Sequence, residues 1–238
     1  MTAAPAAVAD LVILLDVDNT LLDNDALIAD LRAKLADVFG ADVALAYWDG
    51  LEALRAELGY VDYLGALQRF RTTLDAGGSA DRRLLELSAF FLDYPFASRL
   101  YPGALAVVAR LSGLGPTVVL SDGDVVFQPR KIVRSGLWQA VHGRVLVDVH
   151  KEQSLDAMAR AFPARRYVMV DDKPRILAAM KAAMGERLTT VFVRQGHYAH
   201  DVEVLATCPP ADIAIGAIGD LLTLDLGALL AAPATELT

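Results

Sequence analysis

Two aspartates, Asp16 and Asp18, follow the apolar run Leu11 to Leu15 and are separated by one residue. A short run of branched apolar side chains suits a strand buried on both faces. Its carboxyl end is where open α/β sheets place their ligand crevice. Two like charges converging there repel each other unless a cation neutralises them. Three further groups stand in a similar relation to apolar runs downstream. Ser121 follows Thr117 to Leu120, Lys151 comes shortly after Val145 to Val147, and Asp171 and Asp172 follow Tyr167 to Val170. On a parallel sheet those ends share one rim, so residues far apart in sequence can meet. Carboxylates, waters and a substrate phosphate form the oxygen set that suits Mg²⁺. The same groups offer a nucleophile, a cation and hydroxyl and backbone donors for phosphate oxygens.

Each residue also has a plainer reading. An aspartate after a strand can simply close a turn or cap a helix. Ser121 and Asp122 can cap the next helix, and Asp122 is structural by default. A lone lysine is ordinarily solvated surface. It is the placement of Lys151 behind a strand, in order with the other groups, that favours function. Asp171 and Asp172 together exceed what capping requires. His197 and His200 are three residues apart, but Gln195 to Tyr198 reads as a loop, and the carboxylates already supply a site of harder ligands. Arg69 and Arg71 can reach a substrate anion or be surface arginines.

The elements that must position these groups follow from periodicity. Leu27, Leu31, Leu35 and Val38 recur at helical spacing before Gly40. Leu51, Leu54 and Leu58 repeat the pattern, then Leu64, Leu67, Phe70 and Leu74, with a turn at Ala76 to Ser79. A fourth helix runs through Leu84, Leu87 and Phe91 and stops before Pro95. This helical stretch lies between the first strand and the rest. From Tyr101 onward strands and helices alternate. Helices are expected from Pro102 to Leu111, Val125 to Arg134, Gln153 to Ala161 and Ile176 to Met184, the last opened by Pro174. Further strands are expected at Thr190 to Val193 and Ile213 to Ile215. Such alternation predicts an α/β fold with a doubly wound parallel sheet. Residues 1–23 and 99–238 form its core domain, and residues 24–98 an inserted helical domain.

The chain has 238 residues, 55% of them hydrophobic and 22% charged, so it has ample material for a sizeable core. Its formal charge of −8 disfavours binding a long nucleic acid but not a small phosphorylated substrate. Cys208 is the single cysteine, which excludes an intramolecular disulfide and favours a reducing compartment; a buried, inert thiol is expected. Met1 to Asp10 lacks the basic start of a signal peptide, and the next apolar run is too short to span a bilayer. A cytoplasmic protein with no membrane partner is expected.

The order and type of the polar groups resemble the four motifs of the haloacid dehalogenase superfamily. The first is Asp16-Val17-Asp18-Asn19-Thr20, and the second is Leu120-Ser121-Asp122-Gly123. Lys151 stands at the third, and Val170-Asp171-Asp172 is the fourth. The helical insert resembles that superfamily's C1 cap. The resemblance implies that Asp16 attacks phosphorus to form an aspartyl-phosphate, dividing hydrolysis into two easier steps. Asp18 then serves as acid for the leaving alcohol and as base for the attacking water. It also implies a Mg²⁺ cofactor held by the Asp16 carboxylate, the Asp18 backbone carbonyl and Asp171, with Asp172 touching it directly or through water. Lys151 offsets charge, while Ser121, Thr20, Asp122 and Gly123 stand where the phosphoryl group is held. The expected activity is a phosphatase acting on a small phosphorylated metabolite. The alternatives are a 2-haloacid dehalogenase, against which Asp18 argues, a phosphomutase, and a non-catalytic binding protein.

Overall fold

The structure is a computed structural model and describes residues 7–74, 81–225 and 227. The expected turn at Ala76 to Ser79 lies outside the described residues. Six strands, β1 (Ala9–Leu15), β2 (Thr117–Asp122), β3 (Val145–Asp148), β4 (Ala164–Asp171), β5 (Leu188–Val193) and β6 (Ile213–Ile215), form one sheet of order β3-β2-β1-β4-β5-β6. Every neighbouring pair is parallel. Alternation along each strand divides its side chains between two cores. Leu11, Ile13 and Leu15 of β1 join Val119, Val168 and Val191 on one face, while Val12 and Leu14 join Val118, Tyr167 and Met169 on the other. A strand buried on both faces reads as a continuous apolar run for this reason.

Between β1 and β2 the chain makes α1 (Asn24–Phe39), α2 (Ala41–Leu58), α3 (Tyr63–Thr73) and α4 (Arg82–Asp93), then returns through α5 (Ala104–Leu111). Aspartates start three of these helices. Asp23 accepts from Ala26 N–H, Asp62 from Gly65 N–H and Asp81 from Arg83 N–H, satisfying donors that a helix leaves open. Gly40 ends α1 at a φ of 85°, a value that strains residues with a Cβ. Most of the leucine stripes are core, as expected: Leu27, Leu31, Leu35, Leu51, Leu54, Leu67 and Leu87 are buried and belong to the same apolar cluster as β1, whereas Leu58, the last residue of α2, is exposed. These four helices form the helical insertion of the α/β fold.

The remaining helices are α6 (Phe127–Arg134), α7 (Leu137–Ala140), α8 (Leu155–Ala161), α9 (Pro174–Met184) and α10 (Val202–Thr207). Several boundaries differ from the sequence expectation: α5 starts at Ala104, β4 at Ala164 and β5 at Leu188, each two or three residues from the expected position. Helix α6 starts at Phe127 because Asp124 accepts from the N–H groups of both Val126 and Phe127, which sets the cap two residues late. Residues 151–153 form a 3-10 turn before α8. Strands β2 and β4 each run on to include their polar ends, Ser121-Asp122 and Asp171. Cys208, expected to be buried, is only partly covered because it ends the short helix α10, which buries none of its own residues. Among the described residues, no helix is long and apolar enough to cross a membrane.

Phe127 fixes the insertion to the sheet domain. Its ring meets Tyr63, Phe91 and Phe96 at centroid distances of 5.5, 5.7 and 5.7 Å, all edge-on. Such offset contacts add about 0.5–1.5 kcal/mol each to the area that the rings bury.

Candidate active site

Strand order decides where the site lies. Chain order runs outward in opposite directions from the centre of the sheet, so β1 and β4 are neighbours although far apart in sequence. Ligand crevices form beyond the carboxyl ends of strands at such a reversal. The register pairs Leu15 with Val170, and Asp16 N–H donates to Val170 O at 3.0 Å. The next residue on each strand is Asp16 or Asp171, so the ladder itself brings the two carboxylates level. Strand β2 flanks β1 on its other side, with Leu15 opposite Val119, and therefore delivers Ser121 to the same rim.

Lys151 enters from the turn after β3. Its N–H donates to Asp122 Oδ1 at 3.0 Å, which aims the side chain back across the sheet end. Its ammonium donates to Asp16 Oδ1 at 2.5 Å and lies 2.7 Å from Asp171 Oδ2, with all three side chains sealed from solvent. Burial alone would lower the lysine's pKa, but the Asp16 and Asp171 charges overcome it and raise it.

The carboxylates outnumber the cation between them. Asp16, Asp171 and Asp172 can each place one oxygen within 4.8 Å of the others. Asp16 Oδ2 and both oxygens of Asp172 are buried without a hydrogen-bond partner. Burial, then the Asp171 and Asp16 charges, push Asp172 up to about 9. Burial pushes Asp171 up to about 6 against the pull of Lys151. Orphaned buried oxygens are costly, and a hard divalent cation is the partner that would satisfy this set. The residues present therefore fit Mg²⁺.

Asp18 is set apart. Its carboxylate is not in that cluster; it faces α6, where Lys131 Nζ donates to Oδ1 at 2.6 Å and Gln128 Nε2 reaches Oδ2 at 3.4 Å. Gln128 also donates to Ser121 Oγ at 2.8 Å, linking two of the expected site residues. Asn19 takes a positive φ of 60° in the turn after Asp18, which asparagine tolerates better than most residues. Its Oδ1 accepts from the N–H groups of Asn24 and Asp25, starting α1 directly behind the acid pair. Thr20 Oγ1 is buried in the same turn without a partner.

Other expected residues have different neighbours. Gly123 N–H is already engaged, donating to Asp148 O at 3.0 Å. Asp122 supports the Lys151 backbone and lies 3.7 Å from Lys173. His197 pairs with Asp25 at 2.6 Å. Arg69 is tied to Glu57 at 2.6 Å on the surface.

The sequence did not single out Lys131, Gln128 or Tyr63. The buried face of α6 comprises Phe127, Gln128, Lys131 and Ile132, so the lysine lies one turn after Phe127 on the apolar stripe. A charge in that position was the available signal. Tyr63, the first residue of α3, is buried, and burial followed by the Asp18 charge raises its pKa.

A parallel α/β sheet with a buried acid cluster at its carboxyl rim and helices inserted after the first strand defines a class of hydrolase. The family model for haloacid dehalogenase-like hydrolases matches residues 11–183. A crystal structure of a protein classed as a haloacid dehalogenase-like hydrolase, from Burkholderia xenovorans LB400, is 59% identical, with a TM-score of 0.86 over 94% of this chain and 100% of that one. The chain belongs to the haloacid dehalogenase-like hydrolase family. The L-2-haloacid dehalogenase of Xanthobacter autotrophicus shares the fold at 17% identity, a TM-score of 0.55, and 90% and 97% coverage. So does the HAD-hydrolase YfnB of Bacillus subtilis bound to magnesium, at 15% identity, a TM-score of 0.58, and 90% and 98% coverage. No curated protein matches the chain.

Proposed function

We propose that this hydrolase is a Mg²⁺-dependent phosphatase acting on a small phosphorylated metabolite. The observation that carries the reading is the division of labour at the rim: a buried acid cluster with orphaned oxygens beside Lys151, and a separate carboxylate, Asp18, facing the insertion. Halide displacement would use the nucleophile of the first feature but has no use for Asp18, because halide leaves without a proton, and its attack needs no divalent cation.

Asp16, Asp171 and Asp172 would hold the Mg²⁺ together with the Asp18 backbone carbonyl. When bound, the ion supplies positive charge against the phosphoryl oxygens, where phosphoryl transfer gains most of its stabilisation. Asp16 attacks phosphorus; the new bond to its carboxylate forms as the bond to the leaving oxygen breaks. Asp18 gives that oxygen a proton and the alcohol departs. Asp18 then takes a proton from water, whose oxygen attacks phosphorus and releases Asp16. One carboxyl serves both steps because they need opposite proton transfers. Lys151 draws Asp16 and Asp171 together and offsets their charge. Ser121, aligned by Gln128, and the Thr20 hydroxyl are donors for the phosphoryl oxygens.

The test is release of inorganic phosphate from p-nitrophenyl phosphate with and without Mg²⁺, with Asp16→Asn as control. Metal-dependent turnover that the variant loses supports the reading. Equal turnover by the variant, or chloride release from 2-chloropropionate without metal, overturns it. A screen of phosphorylated metabolites then identifies the substrate.

A further inference from the structure

Lys131 is a buried lysine that the proposed mechanism does not use. Its side chain is 1% exposed, against 25% for Asp18, so it is sealed away from any substrate reaching the rim. Lysine is rarely buried so completely without a partner. Here its ammonium donates to Asp18 Oδ1 at 2.6 Å and to Asn24 Oδ1 at 3.0 Å. Those partners belong to different parts of the molecule. Asp18 lies in the turn after β1, and Asn24 is the first residue of α1, where the insertion begins.

The remaining contacts allow Asp18 little freedom. Gln128, three residues before Lys131 on α6, reaches the other carboxylate oxygen at 3.4 Å. The two residues lie on one face of that helix. Asp124 fixes the start of the helix, and the close fit of Gly123 against Gln128 leaves a Cβ at 123 only 3.1 Å from the glutamine's own. Asn24 is fixed in turn, because its N–H donates to Asn19 Oδ1 at 3.0 Å. Any movement of α1 relative to α6 must therefore stretch the Lys131–Asn24 bond or drag the ammonium off Asp18.

We propose that Lys131, bridging Asp18 and Asn24, is a positioning residue that aims the Asp18 carboxyl and keeps it in register with the first helix of the insertion. The inference rests on the reading of Asp18 as the acid and base of phosphoryl transfer. In the first step the bond from phosphorus to the leaving oxygen breaks as the bond to Asp16 forms. The Asp18 proton passes to the leaving oxygen, so the alcohol leaves neutral. A misaimed Asp18 penalises poor leaving groups, which need that proton, far more than good ones, which can leave as anions.

The experiment measures kcat/KM, which reports formation of the phospho-enzyme, for aryl phosphates ranging from p-nitrophenyl to phenyl phosphate. It compares the full-length protein with Lys131→Met, Lys131→Arg, Asn24→Ala, Asp18→Ala and the Asp18→Ala/Lys131→Met double variant. Thermal melting establishes that each is folded. Lys131→Met should lose about 10²-fold or more on phenyl phosphate, the range of a general acid, and under about tenfold on p-nitrophenyl phosphate. Lys131→Arg should recover part of the loss and Asn24→Ala should fall between. Adding Lys131→Met to Asp18→Ala should cost nothing more, because the two residues act as one unit. Equal loss across the series, or additive loss in the double variant, overturns the positioning role. Should Lys131→Met not fold, a wild-type leaving-group slope in both Lys131→Arg and Asn24→Ala overturns it instead. Absence of wild-type turnover on every member defeats the phosphatase reading and this inference with it. Wild-type turnover with unchanged slopes in the variants defeats the inference alone.

Discussion

The two aspartates of the first motif each hold a buried lysine, and the two pairs differ in what surrounds them. Lys151 lies between Asp16 and Asp171, with every member inside the sheet domain and sealed from solvent. Lys131 lies between Asp18 and Asn24, with Asp18 partly open and Asn24 on the first helix of the insertion. The first arrangement leaves more carboxylate than cation, so it calls for a metal and resists movement. The second balances its carboxylate between Lys131 and Gln128 and connects it to a neighbouring element. On the proposed function, Asp16 as a nucleophile needs a fixed position and a neutralised charge. Asp18, as an acid that must meet a leaving group, needs an open side and an orientation that follows the insertion.

The sharpest way to break this comparison is Lys151→Met. Removing one partner from a sealed ion pair should cost about 3–5 kcal/mol, seen as a lower denaturation midpoint in metal-free buffer, together with loss of phosphate release. Lys131→Met should cost less, about 1.5–3 kcal/mol, the value of hydrogen bonds to a charged group, because Asp18 can rehydrate. Equal costs would mean that Asp18, although more exposed than Asp16, is no freer to rehydrate.

The acid cluster gives the next effect. Asp172 is raised to about 9 from the ordinary aspartate value and Asp171 to about 6. A carboxyl whose pKa is higher in the folded state stabilises the fold while protonated, and that contribution disappears as pH rises through the folded value. Without metal, the melting temperature should therefore fall from about pH 4 to pH 9, by at least the 2–4 °C that corresponds to about 1 kcal/mol at this size. Mg²⁺ should raise it more at pH 8 than at pH 5, because bound carboxylates must be ionised. Asp172→Asn should flatten the slope and weaken the response to Mg²⁺. A melting temperature independent of pH in EDTA would show that the cluster is not short of cation.

The smallest effect concerns a more exposed contact between the insertion and the sheet domain. Arg55 of α2 donates to the Tyr198 hydroxyl at 3.3 Å with its side chain 45% exposed. Arg55→Ala should change stability by under about 1 kcal/mol in urea unfolding, as is usual for exposed polar contacts. A larger loss would mean that the insertion depends on this contact as well as on the aromatic cluster around Phe127.

Much of this was legible in the sequence. Asp16, Ser121, Lys151 and Asp171 could be found because each follows an apolar run, and a parallel sheet collects such ends at one rim. The leucine stripes announced the inserted helices because one face of a helix repeats every three to four residues. Lys131 was not legible, since lysine is ordinarily surface and only packing shows that its stripe on α6 is buried. The late start of α6 depended on Asp124, which accepts from the N–H groups at the start of the helix in place of Ser121 or Asp122. Cys208 is less buried than its residue type predicts, because the short helix that it ends has no buried side of its own.

By itself, then, the sequence determined the fold class, the rim residues and the order in which the chain delivers them, because these depend on local periodicity and on where apolar runs stop. Only the tertiary structure decided which carboxylate belongs to which cation. Register across β1 and β4 pairs Leu15 with Val170 and so brings Asp16 and Asp171 level beside Lys151, and the packing of α6 turns Asp18 towards Lys131. Pairing of this kind is set by distances of a few ångströms between groups more than a hundred residues apart. Such distances arise only when the layers close on one another, and closure divides two aspartates separated by a single residue into a sealed group and an open one.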